Sequence, residues 1–468
     1  MYDTCNQLEI MEAQHFQVLY LIVFILSLIL CAKAEQCVAR KYDQESIVCV
    51  CNATYCDLIE PTTVDQLAGN VARHYISTKE GRRLEPATLH FSTQTLDIAN
   101  ATYFQVNKNV TYQQILGFGG AMTDAAAIHI NSLSEEAQQL LLSAYFSPEG
   151  LEYSFVRVPM GGSDFSTHYY AYDDVVNDST LRYFNLTEED YLLKIPNIKR
   201  AQSLSNGKVK LFTTAWSAPD WMKNIQANGL SSLKPEYYQL WADYYIKFLD
   251  AYAAEDVHFW GLTPQNEPSH GRILYDGFNS MGWTADLQLE WVVGNLAPTL
   301  EENDYSDLEL MILDDQRFFL TDWVDTIFQN ETANKVTSGV AIHWYLDALS
   351  SANKLDTAHE AFPDKFLLYT EACITDEFYK QPMFYALAHF SKFVPPGSVR
   401  ISLETENNSN FIENVAFVTE DGIKVIILQN KKHSSQHTER REDKGGRANN
   451  IMRHGMFYER IDGGLGHR

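Results

Sequence analysis

From Ile115 to Cys373 the chain repeats one pattern: a short apolar run that stops on polar residues, then a stretch with helical spacing. The runs are the segment ending in Leu116-Gly-Phe-Gly-Gly-Ala-Met-Thr-Asp124, then Tyr153 to Val158, Val209 to Thr214, Val257 to Thr263, Leu308 to Leu313, Gly339 to Ile342, and Phe366 to Thr370. Short continuous apolar runs suit strands buried on both faces, and intervening helices force them to be parallel. The helical stretches carry their own signals. Ser134 with Glu135 and Glu136 reads as a capped start for a stripe of Ala137, Leu140, Leu141, Ala144 and Tyr145. Pro235 opens a second helix whose stripe is Tyr237, Leu240, Trp241, Tyr244, Tyr245 and Phe248. The architecture predicted is a parallel α/β barrel, with polar residues gathered on the face where the strands end.

Two of these runs end on a glutamate. Glu267 follows Thr-Pro-Gln-Asn266, and Glu371 follows Phe-Leu-Leu-Tyr-Thr. They lie 104 residues apart, which suits three strand–helix repeats of roughly 30 residues. In one barrel the two carboxyl groups share a face and can flank a glycosidic bond. Alone, a glutamate at a strand end is more often a solvated loop residue or an ion-pair partner.

The count stops at seven strands. After Cys373, Thr375-Asp-Glu runs directly into a helix-like stretch from Phe378 to Phe390, with no room for a further helix and strand. A seven-stranded wall leaves two strand edges unpaired. Strand-like segments flank the barrel: Ala87 to Phe104 before it, and Ser398 to Leu403, Asn414 to Val418 and Ile423 to Leu428 after it. Asp421-Gly422 is a hairpin signal between the last two. Both ends of the chain are thus expected to build one β-sandwich. From Lys431 there are nine Lys or Arg, five Asp or Glu and few apolar residues, so that tail reads as disordered or non-native.

At the other end, Leu19 to Cys31 is apolar but short for a membrane span of about 20 residues. Ala32-Lys33-Ala34 resembles a cleavage site, so residues 1–34 read as a signal peptide, with an uncleaved anchor as the competing reading. Cys37, Cys49, Cys51 and Cys56 then fall within twenty residues. In a secreted chain they read as two disulfides with three pairings open; zinc is the weaker alternative, because two clean C-x-x-C pairs are lacking. Cys373 remains as a free thiol. Sequons stand at Asn52, Asn100, Asn109, Asn177, Asn185, Asn330 and Asn407. The formal charge of −25 over 468 residues argues against a nucleic-acid partner, which calls for a basic face. Asp314-Asp315 hints at a metal, but nothing nearby completes a ligand set, and an ion pair with Arg317 is the expected role.

Several motifs carry a resemblance. They are Val48-Cys-Val-Cys-Asn-Ala-Thr-Tyr-Cys56, Phe118-Gly-Gly-Ala-Met-Thr-Asp124, Arg157-Val-Pro-Met160, Ala215-Trp-Ser217, Asn266-Glu-Pro268, Leu313-Asp-Asp-Gln-Arg317, His343-Trp-Tyr-Leu346, Glu371-Ala-Cys373 and Lys380-Gln-Pro-Met-Phe-Tyr385. In order and spacing, from about Cys37 to Asn430, they resemble the lysosomal, glucosylceramide-cleaving branch of glycoside hydrolase family 30. The resemblance implies a (β/α)8 barrel with an accessory β-sandwich and a retaining β-glucosidase activity that releases glucose and ceramide. It implies Glu371 as nucleophile, Glu267 as acid and base, and Asn266 as donor to the sugar 2-OH. Asp124 and Trp216 resemble sugar binders, with a helix cap and plain core as their alternatives. His343 and Tyr345 would orient the nucleophile. The neighbouring charge of Glu371 is expected to keep Glu267 protonated.

The resemblance also implies disulfides Cys37–Cys49 and Cys51–Cys56, a lysosomal location, a membrane-surface substrate and a saposin-like activator. No metal or organic cofactor is required. The family continues past Glu-Ala-Cys into a helix and an eighth strand bearing a tryptophan; this chain resumes at the helix that follows. The expected layout is a leader over 1–34, a stapled element over 35–62, sandwich over 63–110, an incomplete barrel over 111–393, sandwich over 394–430 and the tail over 431–468. Two alternatives stay open: an inactive truncated homologue, and a family 30 hydrolase of another β-glycan.

Overall fold

The computed structural model describes residues 37–42, 46–59, 71–91, 102–273, 279–371, 380–405, 411–431 and 455–459. The expected leader, Asn100, Cys373 and Asn407 lie outside the described residues. No helix among the described residues is long and apolar enough to cross a membrane.

The chain opens with a hairpin of β1 (Ala39–Lys41) and β2 (Ile47–Cys49). Disulfides join Cys37 to Cys49 and Cys51 to Cys56, the pairing that the resemblance implied. Cys49 and Cys56 are buried, so the staple also grips the body of the protein. Asp57 beside it holds the buried Lys380 ammonium at 3.2 Å and accepts from the Tyr385 hydroxyl. A buried charge needs such a partner, and here the pair ties the two regions together.

Next come β3 (Val71–Ile76), β4 (Glu85–His90) and β5 (Phe104–Gln114). The barrel strands are β6 (Gly119–Ala121), β7 (Phe155–Met160), β8 (Lys210–Ala215), β11 (Gly261–Leu262), β12 (Glu309–Gln316), β13 (Gly339–His343) and β14 (Phe366–Glu371), with a small hairpin of β9 (Lys223–Ile225) and β10 (Ser231–Leu233) between β8 and β11. The seven pair in parallel and in chain order from β6 to β14. Among the described residues nothing joins β14 to β6, so both are edges. Every residue of β7 is buried, as a strand packed on both faces requires. Phe155, Phe212, Met311 and Ala341 fill the barrel interior. Outside, the helix Tyr238–Ala254 buries Trp241, Tyr245 and Tyr252. Gly119 permits the β6–β7 contact: a Cβ there would sit 2.0 Å from the Phe155 carbonyl oxygen.

Two barrel strands differ from the run lengths. β11 keeps only two of the seven residues expected over 257–263. β12 extends to Gln316 through a register shift against β13 between Leu313 and Asp315. Leu313 and Asp314 there have φ of 73° and 55°, a left-handed kink costly for non-glycine residues.

The remaining strands are β15 (Val399–Thr405), β16 (Ile412–Val418), β17 (Lys424–Asn430) and β18 (Gly455–Glu459). They join the early strands in one antiparallel sheet ordered β4-β3-β18-β17-β16-β15-β5. Register shifts between β5 and β15 bend it. Both chain ends contribute, as expected. The reading of 431–468 as a structureless tail fails at β18, which fills the slot between β3 and β17. The segment is Gly455-Met-Phe-Tyr-Glu459, a short apolar and aromatic run inside an otherwise polar stretch, and such residues favour a strand.

Candidate active site

The C-terminal ends of β7, β11, β12, β13 and β14 bring Arg157, Glu267, Asp314, His343 and Glu371 together. The two glutamates do meet. Carboxylate oxygens of Glu267 and Glu371 and a ring nitrogen of His343 lie within 4.8 Å of one another.

Arg157 organises the centre. One terminal nitrogen donates to Glu371 Oε2 at 2.6 Å; the other reaches Asn266 Oδ1 at 2.7 Å and Asp314 Oδ2 at 2.9 Å. Its guanidinium also lies over the Trp216 ring, 4.8 Å from the centroid. Burial alone would lower this group's pKa, but the charges of Asp314 and Glu371 raise it. The kink at Leu313 and Asp314 aims Asp314 inward, where it also accepts from Thr263 and Thr370, each at 2.7 Å. Burial pushes the Asp314 carboxyl up, but Arg157 and then His343 hold it well below the usual range.

Glu267 has φ of 41°. Its Oε1 accepts from Gln316 at 2.8 Å and faces His343 Nδ1 at 2.9 Å; its Oε2 faces His270 Nδ1 at 2.8 Å. Burial pushes its carboxyl up, yet hydrogen bonds from His270 and His343, and their charges, bring it down to about 2. The direction is opposite to the one expected from Glu371: the two imidazoles on Glu267 hold its carboxyl down. His343 is fully buried, with its second nitrogen 3.2 Å from Asp314. Burial would lower its pKa, but bonds to Asp314 and Glu267 and the charges of Glu371 and Asp314 raise it to about 10. Glu267 and Asp314 thus hold the two nitrogens of the His343 ring between them.

Other expected residues divide. Tyr345 donates to Glu371 Oε1 at 2.8 Å. His343 instead bonds Glu267; its approach to Glu371 is 3.9 Å. Asn266 lies inside the cluster through Arg157. Asp124 is buried, its oxygens taken by the Ala125 N–H at 2.8 Å and the Tyr170 hydroxyl at 3.3 Å. Thr123 rather than Asp124 caps the helix Asp124–Asn131. Arg317 pairs with Asp347 at 2.9 Å, not with Asp314 or Asp315. Asp315 turns away and accepts from the Ser269 N–H at 2.9 Å.

Sequence reasoning missed Arg157, Asp314, Gln316 and His270 as members of the site. It also missed Asp164, after β7. Desolvation, then the charge of Glu371 and more weakly of Glu267, raises the Asp164 carboxyl to about 6. A signal existed for Arg157: a charge inside a fully buried strand requires carboxylate partners.

Comparison with known proteins agrees with this architecture. Residues 115–377 and 373–394 match the glycosyl hydrolase family 30 TIM-barrel domain, and residues 397–447 match the family's beta sandwich domain. The chain is similar to a lysosomal acid glucosylceramidase from Mus musculus, 36% identical over 85% of this chain and 90% of the relative. It is also similar to putative glucosylceramidase 3 from Caenorhabditis elegans, 37% identical over 86% and 90%. Among solved structures, SrfJ from Salmonella typhimurium superposes with a TM-score of 0.71 at 25% identity, covering 77% of this chain and 93% of that one. With the paired carboxylates, the parallel barrel and the matched domains in agreement, the chain belongs to glycosyl hydrolase family 30.

Proposed function

We propose that this chain is a retaining β-glucosidase that hydrolyses glucosylceramide to glucose and ceramide. The observation that carries the reading is the proximity of Glu267 and Glu371, whose oxygens approach within 4.8 Å. Retaining glycosidases hold this pair about 5–5.5 Å apart, whereas inverting ones leave room for a water. Glu371 attacks the anomeric carbon, with Tyr345 and Arg157 fixing its two oxygens. Glu267 protonates the leaving oxygen, then removes a proton from the water that hydrolyses the glycosyl-enzyme. In the resting site Glu267 is ionised between two imidazoles; its catalytic proton is one hydrogen bond away. Asn266, fixed by Arg157, is the donor for the sugar 2-OH; Trp216 and Asp164 serve the other sugar contacts. Asp124 holds Tyr170.

The glucosylceramidase relatives support the lipid aglycone, and so does the surface beside the site. Phe318, Trp344, Leu346 and Leu349 follow β12 and β13 and are exposed at 52%, 38%, 37% and 74%. An apolar rim of this kind suits a ceramide at a membrane surface, presented by a saposin-like activator in the lysosome. Among the described sequons, Asn52, Asn109, Asn177, Asn185 and Asn330 are exposed and accessible to glycosylation in the secretory pathway.

One observation favours a second reading, an inactive homologue: the two barrel edges left unpaired between β14 and β6. Purified chain incubated with glucosylceramide in detergent micelles, and with a fluorogenic β-glucoside, separates the two. Turnover that releases β-glucose first and is abolished by Glu371→Gln is expected; no turnover from a folded sample refutes the enzyme. Preference for β-1,6-glucan or β-xylan would refute the ceramide substrate alone.

A further inference from the structure

Glu267 presents its two oxygens to different surroundings. Oε1 is enclosed by Gln316 and by His343, whose ring is fully buried with its far nitrogen on Asp314. A proton on His343 can leave only through these carboxylates. Oε2 faces His270. That residue opens the short helix His270–Ile273, and its backbone N–H donates to the Glu267 carbonyl at 2.9 Å. The left-handed turn at Glu267 folds the chain so that the imidazole three residues on returns to the carboxylate. The His270 side chain keeps 19% of its surface exposed, against 9% for Glu267 and none for His343. His270 is thus the imidazole on Glu267 that also reaches solvent.

We propose that His270 is a positioning residue that relays protons between solvent and Glu267, serving the oxygen that works on the glycosidic bond. The inference rests on the reading of Glu267 as acid and base. As a Glu371 oxygen bonds to the anomeric carbon and the glycosidic C–O bond breaks, the proton on His270 Nδ1 passes to Glu267 Oε2 and from there to the departing alcohol oxygen. In hydrolysis, a water oxygen bonds to the anomeric carbon as its bond to Glu371 breaks. The water's proton returns to Glu267 and then to His270. No other reactant is consumed. The charged groups around His270, among the described residues, are few. Glu267 faces it directly, and Arg272 lies on its own helix. Asp315 is tied to the Ser269 backbone. Behind the helix, the β9–β10 hairpin carries Lys223, which is engaged by Asp220, Ser217 and Asn279. Of these groups, Glu267 is the one in direct contact with the ring.

The test compares the wild-type chain with His270→Ala and His270→Gln on two β-glucosides. One carries an alkyl leaving group that must be protonated, the other a dinitrophenol that departs without help. Positioned acid–base catalysis contributes roughly 10²–10⁴-fold, so loss of its relay should lower kcat/KM for the alkyl substrate about tenfold. The dinitrophenyl substrate should lose far less. The basic limb of the alkyl pH profile should move toward acid, and imidazole in the buffer should restore rate. Glutamine keeps a hydrogen bond but carries no proton, so it should behave as alanine does; it also serves if the alanine variant does not fold. Wild-type rates in the glutamine variant, or equal losses on both substrates, would overturn the relay alone. A folded wild-type chain that turns over neither substrate would overturn the glycosidase reading with it.

Discussion

Arg157→Met is the sharpest perturbation of the site. In the native centre Arg157 and the imidazoles of His343 and His270 face three carboxylates: Glu267, Asp314 and Glu371. Arg157 is 4% exposed and Asp314 fully buried. Methionine fills most of the volume but leaves Asp314 and Glu371 without their guanidinium partner. Breaking a buried pair by removing one partner costs roughly 3–5 kcal/mol, because the remaining charge is uncompensated. The pH response should change as well. Against burial, Arg157 holds the Asp314 carboxyl below its ordinary value, so that contribution to stability is present once pH leaves the acid range and is lost as pH falls. Without it, a carboxyl of the crowded centre is raised above its unfolded value and the folded state holds an extra proton. The variant should then lose stability as pH rises from about 5 to 7. Urea unfolding of both proteins at these two values measures the effect. A loss below about 1 kcal/mol, or an unchanged pH slope, would refute the view that Arg157 neutralises the site.

Three further outcomes follow from the same geometry. Glu267, lowered from 4.5 to about 2, stabilises the fold above pH 4.5, and this is lost as pH falls toward 2; His343, raised from 6.5 to about 10, stabilises below pH 6.5, and this is lost as pH rises toward 10. Calorimetric midpoints should therefore peak between those limits, and a midpoint still rising at pH 8 would contradict the assignment. Gly119→Ala drives a methyl into the Phe155 carbonyl and should cost roughly 1–3 kcal/mol in denaturant titrations; an unchanged midpoint would mean that β6 simply moves away. Cys37→Ser with Cys49→Ser opens the larger N-terminal loop and should cost roughly 3 kcal/mol on the loop-entropy account, read by the same titration.

The barrel was legible because strands covered on both faces appear as uninterrupted apolar runs, and β7, β8, β12 and β13 did so. β3 was not: Arg73 and His74 break its apolar pattern, although His74 is buried in the fold. β18 was hidden by its surroundings: Met456, Phe457 and Tyr458 form a strand-like run too short to stand out from the polar residues on either side. The glutamates were readable by position and motif. Their environment was not, because it is assembled across distance. Arg157 meets Glu371 over 214 residues and Asp314 over 157. No local pattern announces such contacts. His343, expected beside Glu371, lies closer to Glu267 and Asp314: motif order shows which residues share a pocket, not which oxygen each one faces. His270 was within reach of local reasoning, since it stands three residues from a candidate acid.

Glu371 sits at the tip of β14, which among the described residues is laddered only to β13. Such a strand behaves as a cantilever. Among the described residues its second flank carries no ladder, so the aim of the Glu371 carboxylate falls to Arg157 and Tyr345 at the tip and to Thr370, whose hydroxyl anchors to Asp314. Side-chain tethers loosen with heat sooner than a continuous hydrogen-bond ladder does. Bond-breaking competence in this protein is thus expected to fade on warming before the barrel itself melts.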